Sequence, residues 1–332
     1  MGMPLKISLH EPESKTVIKT CREVFPYLSP ELRKLMTSLP AQYLIGLEEI
    51  RLRVNAPVLL RHHLGDSYLS VSGNLTSVRT DSFTCNKENL EKTVVLLCNS
   101  SLYALEEEMQ KGYLTLPGGH RAGFVGRAVL DHGNLKTLKQ ISSVNIRIAR
   151  FVSGCAQKLI NYIVNENTVQ NTLIISPPRA GKTTILRDIV TTLSDGYGNF
   201  SPIDVGIVDE RSEIAGCREG IPQMPVGHRT DVLDGCPKAE GMMMLVRSMS
   251  PHVIATDEIG RYEDTKAIQE VINAGIKLVA TVHGSSIKEI CRRPVVQNIV
   301  KQRVFERYVI LSRRKGPGTL EAIYNRDLQQ IM

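Results

Sequence analysis

Tryptophan is absent from this 332-residue sequence, and aromatic residues make up only 5% of it. Proteins that bind single strands of nucleic acid by stacking rely on aromatic side chains, so no stacking platform is expected. A block of charges of one sign is also missing, because the net charge of +7 is spread along the chain. This spread is typical of a protein that avoids neutrality. The alternative is contact with acidic lipid or nucleic acid.

Cysteine pairs with metal-binding spacing are missing as well. The seven cysteines are odd in number and none forms a C-x-x-C pair, which argues against a disulfide framework and a structural zinc site. Such usage fits a reducing compartment. No apolar run reaches the ~18–20 residues that cross a bilayer, and no secretory signal is visible. We therefore expect a cytoplasmic protein that meets a membrane only through partners.

The length and the hydrophobic pattern indicate two domains, residues 1–150 and 151–332. The first is predicted to be a smaller α+β domain, with a helix over 86–110 and a glycine-turn hairpin over 112–129. The second alternates apolar strands with helices and closes in an edge hairpin over 304–324. That alternation predicts an α/β fold, a mainly parallel sheet with helices on both faces.

The most informative segment runs from Thr172 to Arg187. An apolar strand, a tight loop and a helix that starts with Gly-Lys-Thr-Thr have the layout of a phosphate-binding loop. Amide groups and the dipole at a helix N-terminus attract phosphate. We expect Lys182 to reach the β- and γ-phosphates and Thr183 to hold Mg²⁺. The predicted nucleotide-binding residues are Ser176, Pro177, Pro178, Arg179, Ala180, Gly181, Lys182, Thr183 and Thr184.

One position departs from the usual loop pattern, since Ser176 stands where glycine is normal. Glycine suits a turn that needs a positive φ. We expect Pro177 and Pro178, which fix φ, to hold a slightly opened turn. The alternative is a fortuitous Gly-Lys-Thr at an ordinary helix start, which the flanking strand and helix disfavour.

Three later strands each end in residues that suit phosphate chemistry. Asp257 has the position of a magnesium ligand and Glu258 that of the base that polarises water, although such a pair can also cap a helix. Glu210, in a second acidic cluster, either orients water or lies in a solvated loop. His283 either senses the γ-phosphate or is structural. Because ligands bind at the carboxyl ends of parallel strands, the sequence predicts a Mg²⁺–nucleotide site, and the lack of an Asn-Lys-x-Asp stretch favours ATP.

The second half of the chain resembles the RecA-like ATPases of secretion systems and pilus motors. The segments that carry this resemblance are 208–213, 247–251, 257–263 and 281–285. A narrower resemblance, to ATPases of sporulation stage III, covers most of the chain from about Glu48. It rests on the Ser-Pro-Pro before the Gly-Lys-Thr-Thr and on segments 118–123, 142–150, 209–216 and 227–234.

The resemblance implies a Mg²⁺-dependent ATPase that forms a homo-oligomeric ring, a hexamer, in the mother-cell cytoplasm. It implies that membrane proteins of a channel complex between mother cell and forespore are the partners. A RecA-like ATPase stimulated by nucleic acid is the alternative, but nucleic acid is not expected as a partner. Two features differ from the pilus motors: Asp257 stands where they have glycine, and their cysteine zinc motif is lacking.

The resemblance also implies that arginines contact the phosphates. The candidates are Arg121, Arg127 and Arg147 of the N-terminal domain and Arg247 of the ATPase core. Ordinary surface charge is the alternative for each of them.

Overall fold

The computed structural model of the chain describes residues 11–62, 65–98, 112–165 and 168–332. The chain forms two compact units, Met1–Arg150 and Phe151–Met332. Within the described ranges, no helix combines the length and the apolar character that crossing a bilayer requires.

The N-terminal unit is built from helices and an antiparallel sheet. Its helices are α1 (Glu11–Arg22), α2 (Pro30–Ser38) and α3 (Lys87–Leu97). Its strands are β1 (Leu47–Arg53), β2 (Ala56–Pro57), β3 (Leu59–His62), β4 (Gly65–Leu69), β5 (Leu75–Thr76), β6 (Thr84–Cys85), β7 (Tyr113–Thr115), β8 (Arg121–Asp131) and β9 (Asn134–Arg147). Seven strands form one sheet in the order β5-β4-β3-β1-β9-β8-β7, and β2 pairs with β6.

One face of this sheet packs on the helices. Ile50 and Leu52 of β1 are buried in one core with Leu32 of α2 and Leu90 of α3, which is the arrangement of an α+β unit. Helix α3 begins after Asn86, whose side chain accepts a hydrogen bond from the amide of a residue in the first turn. The predicted helix over 86–110 is seen as far as residue 97, and its part over 99–110 lies outside the described residues.

The C-terminal unit alternates strands and helices. Its helices are α4 (Gln157–Ile163), α5 (Lys182–Asp195), α6 (Lys238–Ser248), α7 (Tyr262–Asn273), α8 (Ile287–Ile290) and α9 (Pro294–Lys301). Its strands are β10 (Val164–Asn165), β11 (Thr168–Val169), β12 (Thr172–Ser176), β13 (Val205–Asp209), β14 (Thr230–Asp234), β15 (Val253–Thr256), β16 (Lys277–His283), β17 (Arg307–Ser312) and β18 (Thr319–Asn325). The main sheet has the order β14-β13-β15-β16-β12-β17-β18.

The predicted parallel sheet with helices on both faces is correct. Every pair in the main sheet is parallel except the edge hairpin β17–β18. Successive residues of β12 enter different cores, as the pleat of a strand requires: Ile174 packs with Leu186 of α5, whereas Leu173 packs with Ile268 of α7.

The start of helix α7 is set by a capping interaction. Asp264 accepts hydrogen bonds from the amides of Gly260 and Arg261 and so closes the first turn at Tyr262. Strand β14 was not predicted, since its polar edge sequence, Thr230–Asp234, lacks an apolar pattern.

The register of the sheet brings several strand ends to one edge. Ser176 at the end of β12 lies opposite His283 at the end of β16. Thr256 at the end of β15 lies opposite Val208 of β13 and Ala280 of β16. The residues that follow these strands therefore gather beside the N-terminus of α5.

Candidate functional site

The loop between β12 and α5, residues 177–181, makes its sharp bend at two residues with positive φ, Arg179 (59°) and Gly181 (85°). A Cβ atom at position 181 would lie 3.1 Å from the amide nitrogen of Gly318, so glycine is required there. Ser176 is instead the buried last residue of β12, and its hydroxyl donates to the carbonyl of Pro177 at 3.0 Å. The left-handed bend thus falls further along the loop than Ser176, and the slightly opened turn stays a prediction.

The turn of the edge hairpin supports this loop from the side. The amide of Gly318 donates a hydrogen bond to the carbonyl of Ala180 at 2.8 Å. Pro317 of the same turn lines the pocket in front of the loop. The end of the chain thus helps to shape the start of α5.

The pocket in front of the loop has a volume of about 500 Å³. It is lined by Pro178, Arg179, Gly181, Lys182, Thr183, Thr184, Glu213, Glu258, His283 and Pro317. Most of the predicted nucleotide-binding residues therefore border one space. Ser176, Pro177 and Ala180 do not line it, and Ser176 and Ala180 are buried.

Three basic side chains surround the carboxylate of Glu258 at this pocket. Its Oε1 lies 2.6 Å from Nζ of Lys182 and 2.8 Å from Nε2 of His283. Its Oε2 lies 3.2 Å from Nη1 of Arg211. Burial opposes the charged form, but the hydrogen bond and charge of Lys182, followed by His283 and Arg211, bring the pKa of Glu258 below its ordinary value. The carboxylate is therefore ionised at neutral pH.

Asp257 lies beside Glu258 and is less exposed to solvent. It is buried, and its Oδ2 has no hydrogen-bond partner. Burial, helped by the nearby carboxylates of Asp209 and Glu213, raises the pKa of Asp257 to about 7. One ligand oxygen from each of Glu213, Asp257 and Glu258 lies within 4.8 Å of the others. An unpartnered buried oxygen within a set of carboxylates fits a hard cation such as Mg²⁺.

Two acids at the end of β13 have other partners. Asp209 is fully buried, and its carboxylate accepts hydrogen bonds from the amides of Glu213, Ile214 and Ala215 at 2.7–2.9 Å. Asp209 therefore stabilises the conformation of the loop that carries Glu213. Glu210 pairs with Lys238 and, at 3.1 Å, with Arg261. Burial works against it, but Lys238 above all lowers the pKa of Glu210, and its catalytic role stays a prediction.

The four arginines that are predicted to contact phosphate lie on different elements of the structure. The guanidinium of Arg121 lies 3.9 Å from the centre of the Tyr113 ring, and Nε of Arg147 lies 3.3 Å from Oε1 of Glu49. Both arginines line a cavity of about 410 Å³ on the N-terminal sheet, together with Arg51 and Arg53.

Arg127 is exposed on β8, where it faces Lys139. Arg247 is exposed on α6 and lines a groove with Tyr262 and Lys266 of α7. For all four arginines, contact with phosphate stays a prediction.

Sequence reasoning assigned no role to Arg211 or to the turn at Pro317, although both border the site. Arg211 stands within the acidic run 209–213. A single basic residue among carboxylates was the only feature of the sequence that could have pointed to it. Nothing local to residues 315–318 indicated that this turn reaches the loop before α5, because that contact joins distant parts of the chain.

The fold and the loop define the class of protein, a chain whose C-terminal unit has a RecA-like fold. The structure is similar to the ATPase DotB of Legionella pneumophila, with a TM-score of 0.54, 14% identity, and coverage of 81% of this chain and 74% of that one. It is also similar to the pilus retraction motor PilT with bound ADP, with a TM-score of 0.51, 13% identity and the same coverages. At these identities the likeness shows the fold alone.

The sequence comparison defines the family. Residues 19–331 match the family described as sporulation stage III, protein AA. The chain is 46% identical over 305 residues to the stage III sporulation protein AA of Bacillus subtilis (strain 168), which covers 92% of this chain and 95% of that one. The chain therefore belongs to the sporulation stage III protein AA family, and the resemblance drawn from its motifs is confirmed.

Proposed function

We propose that this chain is a Mg²⁺-dependent ATPase that works as a homo-oligomeric ring and energises a channel complex between mother cell and forespore. The observation that carries the proposal is the meeting of Lys182, Glu258 and His283 in one pocket at the N-terminus of α5. The likeness to secretion and pilus ATPases supports it, and one of those structures holds ADP.

Each residue has a distinct task in this proposal. The amides of residues 179–184 and the ammonium of Lys182 bind the β- and γ-phosphates. Glu258, ionised at neutral pH, orients the attacking water and accepts its proton. His283 holds the Glu258 carboxylate beside the γ-phosphate position. Asp257 and Thr183 would hold Mg²⁺, which neutralises phosphate charge when it is bound.

Nucleotide binding and activation of the base are linked in this arrangement. Lys182 pairs with the Glu258 carboxylate, and bound phosphates would compete with that carboxylate for the same ammonium group. When phosphate takes the lysine, Glu258 loses its main partner and becomes available to water. The pocket thereby acquires an active base only when a triphosphate is present.

The ring and its partners rest on family membership and on the exposed arginines. Arg127 and Arg247 are exposed, and Arg121 and Arg147 line a cavity of the N-terminal unit. In the proposed ring, these arginines contact the phosphates bound at a neighbouring subunit. The partners are membrane proteins of a sporulation complex, which the ring meets from the cytoplasm.

The test uses the purified full chain. We expect slow phosphate release from Mg²⁺–ATP that rises with protein concentration, faster than from Mg²⁺–GTP, and a larger mass when a non-hydrolysable ATP analogue is added. Strong stimulation by single-stranded DNA would favour a nucleic-acid remodeller instead. Tight ATP binding without phosphate release would make the chain a nucleotide-gated binding module.

A further inference from the structure

The backbone of Glu258 is left-handed, with a φ of 48°. For a residue with a Cβ atom this conformation is disfavoured by steric contact with its own backbone, so the surrounding structure must hold it. The conformation has a consequence for the pocket. Adjacent residues of an extended strand point to opposite faces, whereas here oxygens of Asp257 and Glu258 lie within 4.8 Å of one another.

Thr281 of β16 supplies two hydrogen bonds at this bend. Its Oγ1 accepts a hydrogen bond from the amide of Glu258 at 2.9 Å. Its carbonyl accepts one from the amide of Ile259, also at 2.9 Å. Thr281 is fully buried within a strand whose neighbours are in the core, so the acceptor is rigid. Thr281 therefore binds the amides of both Glu258 and Ile259.

The same strand also holds the side chain of Glu258. His283 comes two residues after Thr281 and therefore points to the same face of β16. Its Nε2 lies 2.8 Å from Oε1 of Glu258. The backbone and the carboxylate of Glu258 are accordingly fixed by one strand, at positions 281 and 283.

We propose that Thr281 is a positioning residue for ATP hydrolysis. Its hydroxyl keeps Glu258 in the left-handed conformation that aims the carboxylate at the phosphate pocket, beside Lys182. The proposal rests on the ATPase function proposed above. Thr281 acts through Glu258 and has no contact with the nucleotide of its own.

The decisive variant is Thr281→Val, which keeps the branched shape in the core and removes the acceptor. Because small misplacements of a catalytic group are costly, we expect kcat for ATP to fall roughly 10- to 100-fold, with the affinity for a non-hydrolysable ATP analogue unchanged. Thr281→Ser, which keeps the hydroxyl, should restore kcat. In a Glu258→Gln background, Thr281→Val should cause no further loss.

Thr172→Val is the matched control. Thr172 is another fully buried strand threonine of the same sheet, but its hydroxyl donates to the carbonyl of Gln170 at the opposite end of β12. We expect its kcat to stay at the wild-type value. A similar loss in both valine variants would identify a general effect on the sheet and overturn the proposal.

Three other results would overturn the positioning role: a wild-type kcat in Thr281→Val, an equal fall in kcat and nucleotide affinity, or a further loss in the Glu258→Gln background. A crystal structure of Thr281→Val decides the question independently of activity. Glu258 with a negative φ and a carboxylate away from Lys182 would support the proposal, and an unchanged Glu258 would refute it. If the wild-type chain releases no phosphate, the proposed function fails, and the crystal structure still tests Thr281.

Discussion

The Nζ atom of Lys182 lies 2.6 Å from Oε1 of Glu258. The two residues follow different strands, β12 and β15, and their side chains are only 9% and 19% exposed. Opposite charges attract more strongly in such a site than in bulk water. The ion pair is therefore a strong contact that a bound phosphate has to replace, and it connects the two groups on which the proposed chemistry depends.

Replacing Lys182 with alanine should remove most of the affinity for nucleotide. Charge-assisted hydrogen bonds contribute about 1.5–3 kcal/mol each, so losing two of them weakens binding roughly 10²-fold or more. Calorimetric titration with a non-hydrolysable ATP analogue and Mg²⁺ measures this. Lys301→Ala, at the exposed end of α9, is the control that should bind normally. Normal binding by Lys182→Ala would place the nucleotide elsewhere.

Replacing Glu258 with glutamine should separate binding from turnover. The amide keeps the size of the side chain but cannot accept a proton, so we expect ATP to bind while phosphate release slows ~10²-fold or more. Glu240→Gln, on the exposed side of α6, serves as the control. Near-normal turnover in Glu258→Gln would transfer the role of base to Glu210 or Glu213.

Replacing Asp257 with asparagine should change the metal requirement. The variant keeps the shape of the side chain and removes the charge that the unpartnered Oδ2 would offer to Mg²⁺. Half-maximal activity should then need at least about tenfold more Mg²⁺, because removing even a residue that contacts a metal's ligands weakens metal binding by about that factor. Binding of ATP in the presence of EDTA should be the same in both proteins. Asp231→Asn, exposed on β14, is the control, and an unchanged Mg²⁺ titration in Asp257→Asn would remove the metal role.

Replacing Asp209 with alanine should destabilise the C-terminal unit. The three amides of residues 213–215 would lose their acceptor, and each buried unsatisfied amide costs about 1–3 kcal/mol. Urea unfolding should show the lower free energy of unfolding. Asp209→Asn, which keeps one oxygen acceptor, should lose less, and equal stability of all three proteins would show that the loop needs no such support.

The stability of the N-terminal unit should fall in mild acid because of His120. This residue is fully buried, its Nδ1 accepts the amide of Ala149 at 3.1 Å, and its Nε2 lies 3.4 Å from Glu23. Burial lowers the pKa of His120 below its ordinary 6.5, although Glu23 works in the opposite direction. As the pH falls below about 6.5, the unfolded chain therefore takes up a proton at this histidine before the folded chain does. The free energy of unfolding decreases over that range, by at most ~1.4 kcal/mol per pH unit.

Thermal unfolding of the full chain between pH 5 and 8 measures this effect. His120→Gln should show a shallower acid slope than the wild type, even if it is less stable at neutral pH. His132→Gln is the control, because that histidine is almost fully exposed. The same acid slope in His120→Gln as in the wild type would assign the effect to other groups.

Much of the fold of the C-terminal unit was predictable because its signals are local. The apolar run Thr172–Ser176, the glycine before Lys182 and the helix after it lie within one short segment, and each strand ends at a change in polarity. Strand β14 escaped prediction because an edge strand needs few apolar residues. The positive φ of Arg179 also escaped, since no residue type at that position requires it.

The sequence by itself determined where the reactive side chains stand along the chain: Lys182 at a helix start, and Asp257, Glu258 and His283 at strand ends. Only the tertiary structure decided which of them meet. It pairs Lys182 with Glu258, turns Glu210 toward Lys238, and makes Asp209 the support of a loop. The physical reason is that these contacts depend on the strand order β13-β15-β16-β12 and on the bend at Glu258, which arise from packing between segments far apart in the chain.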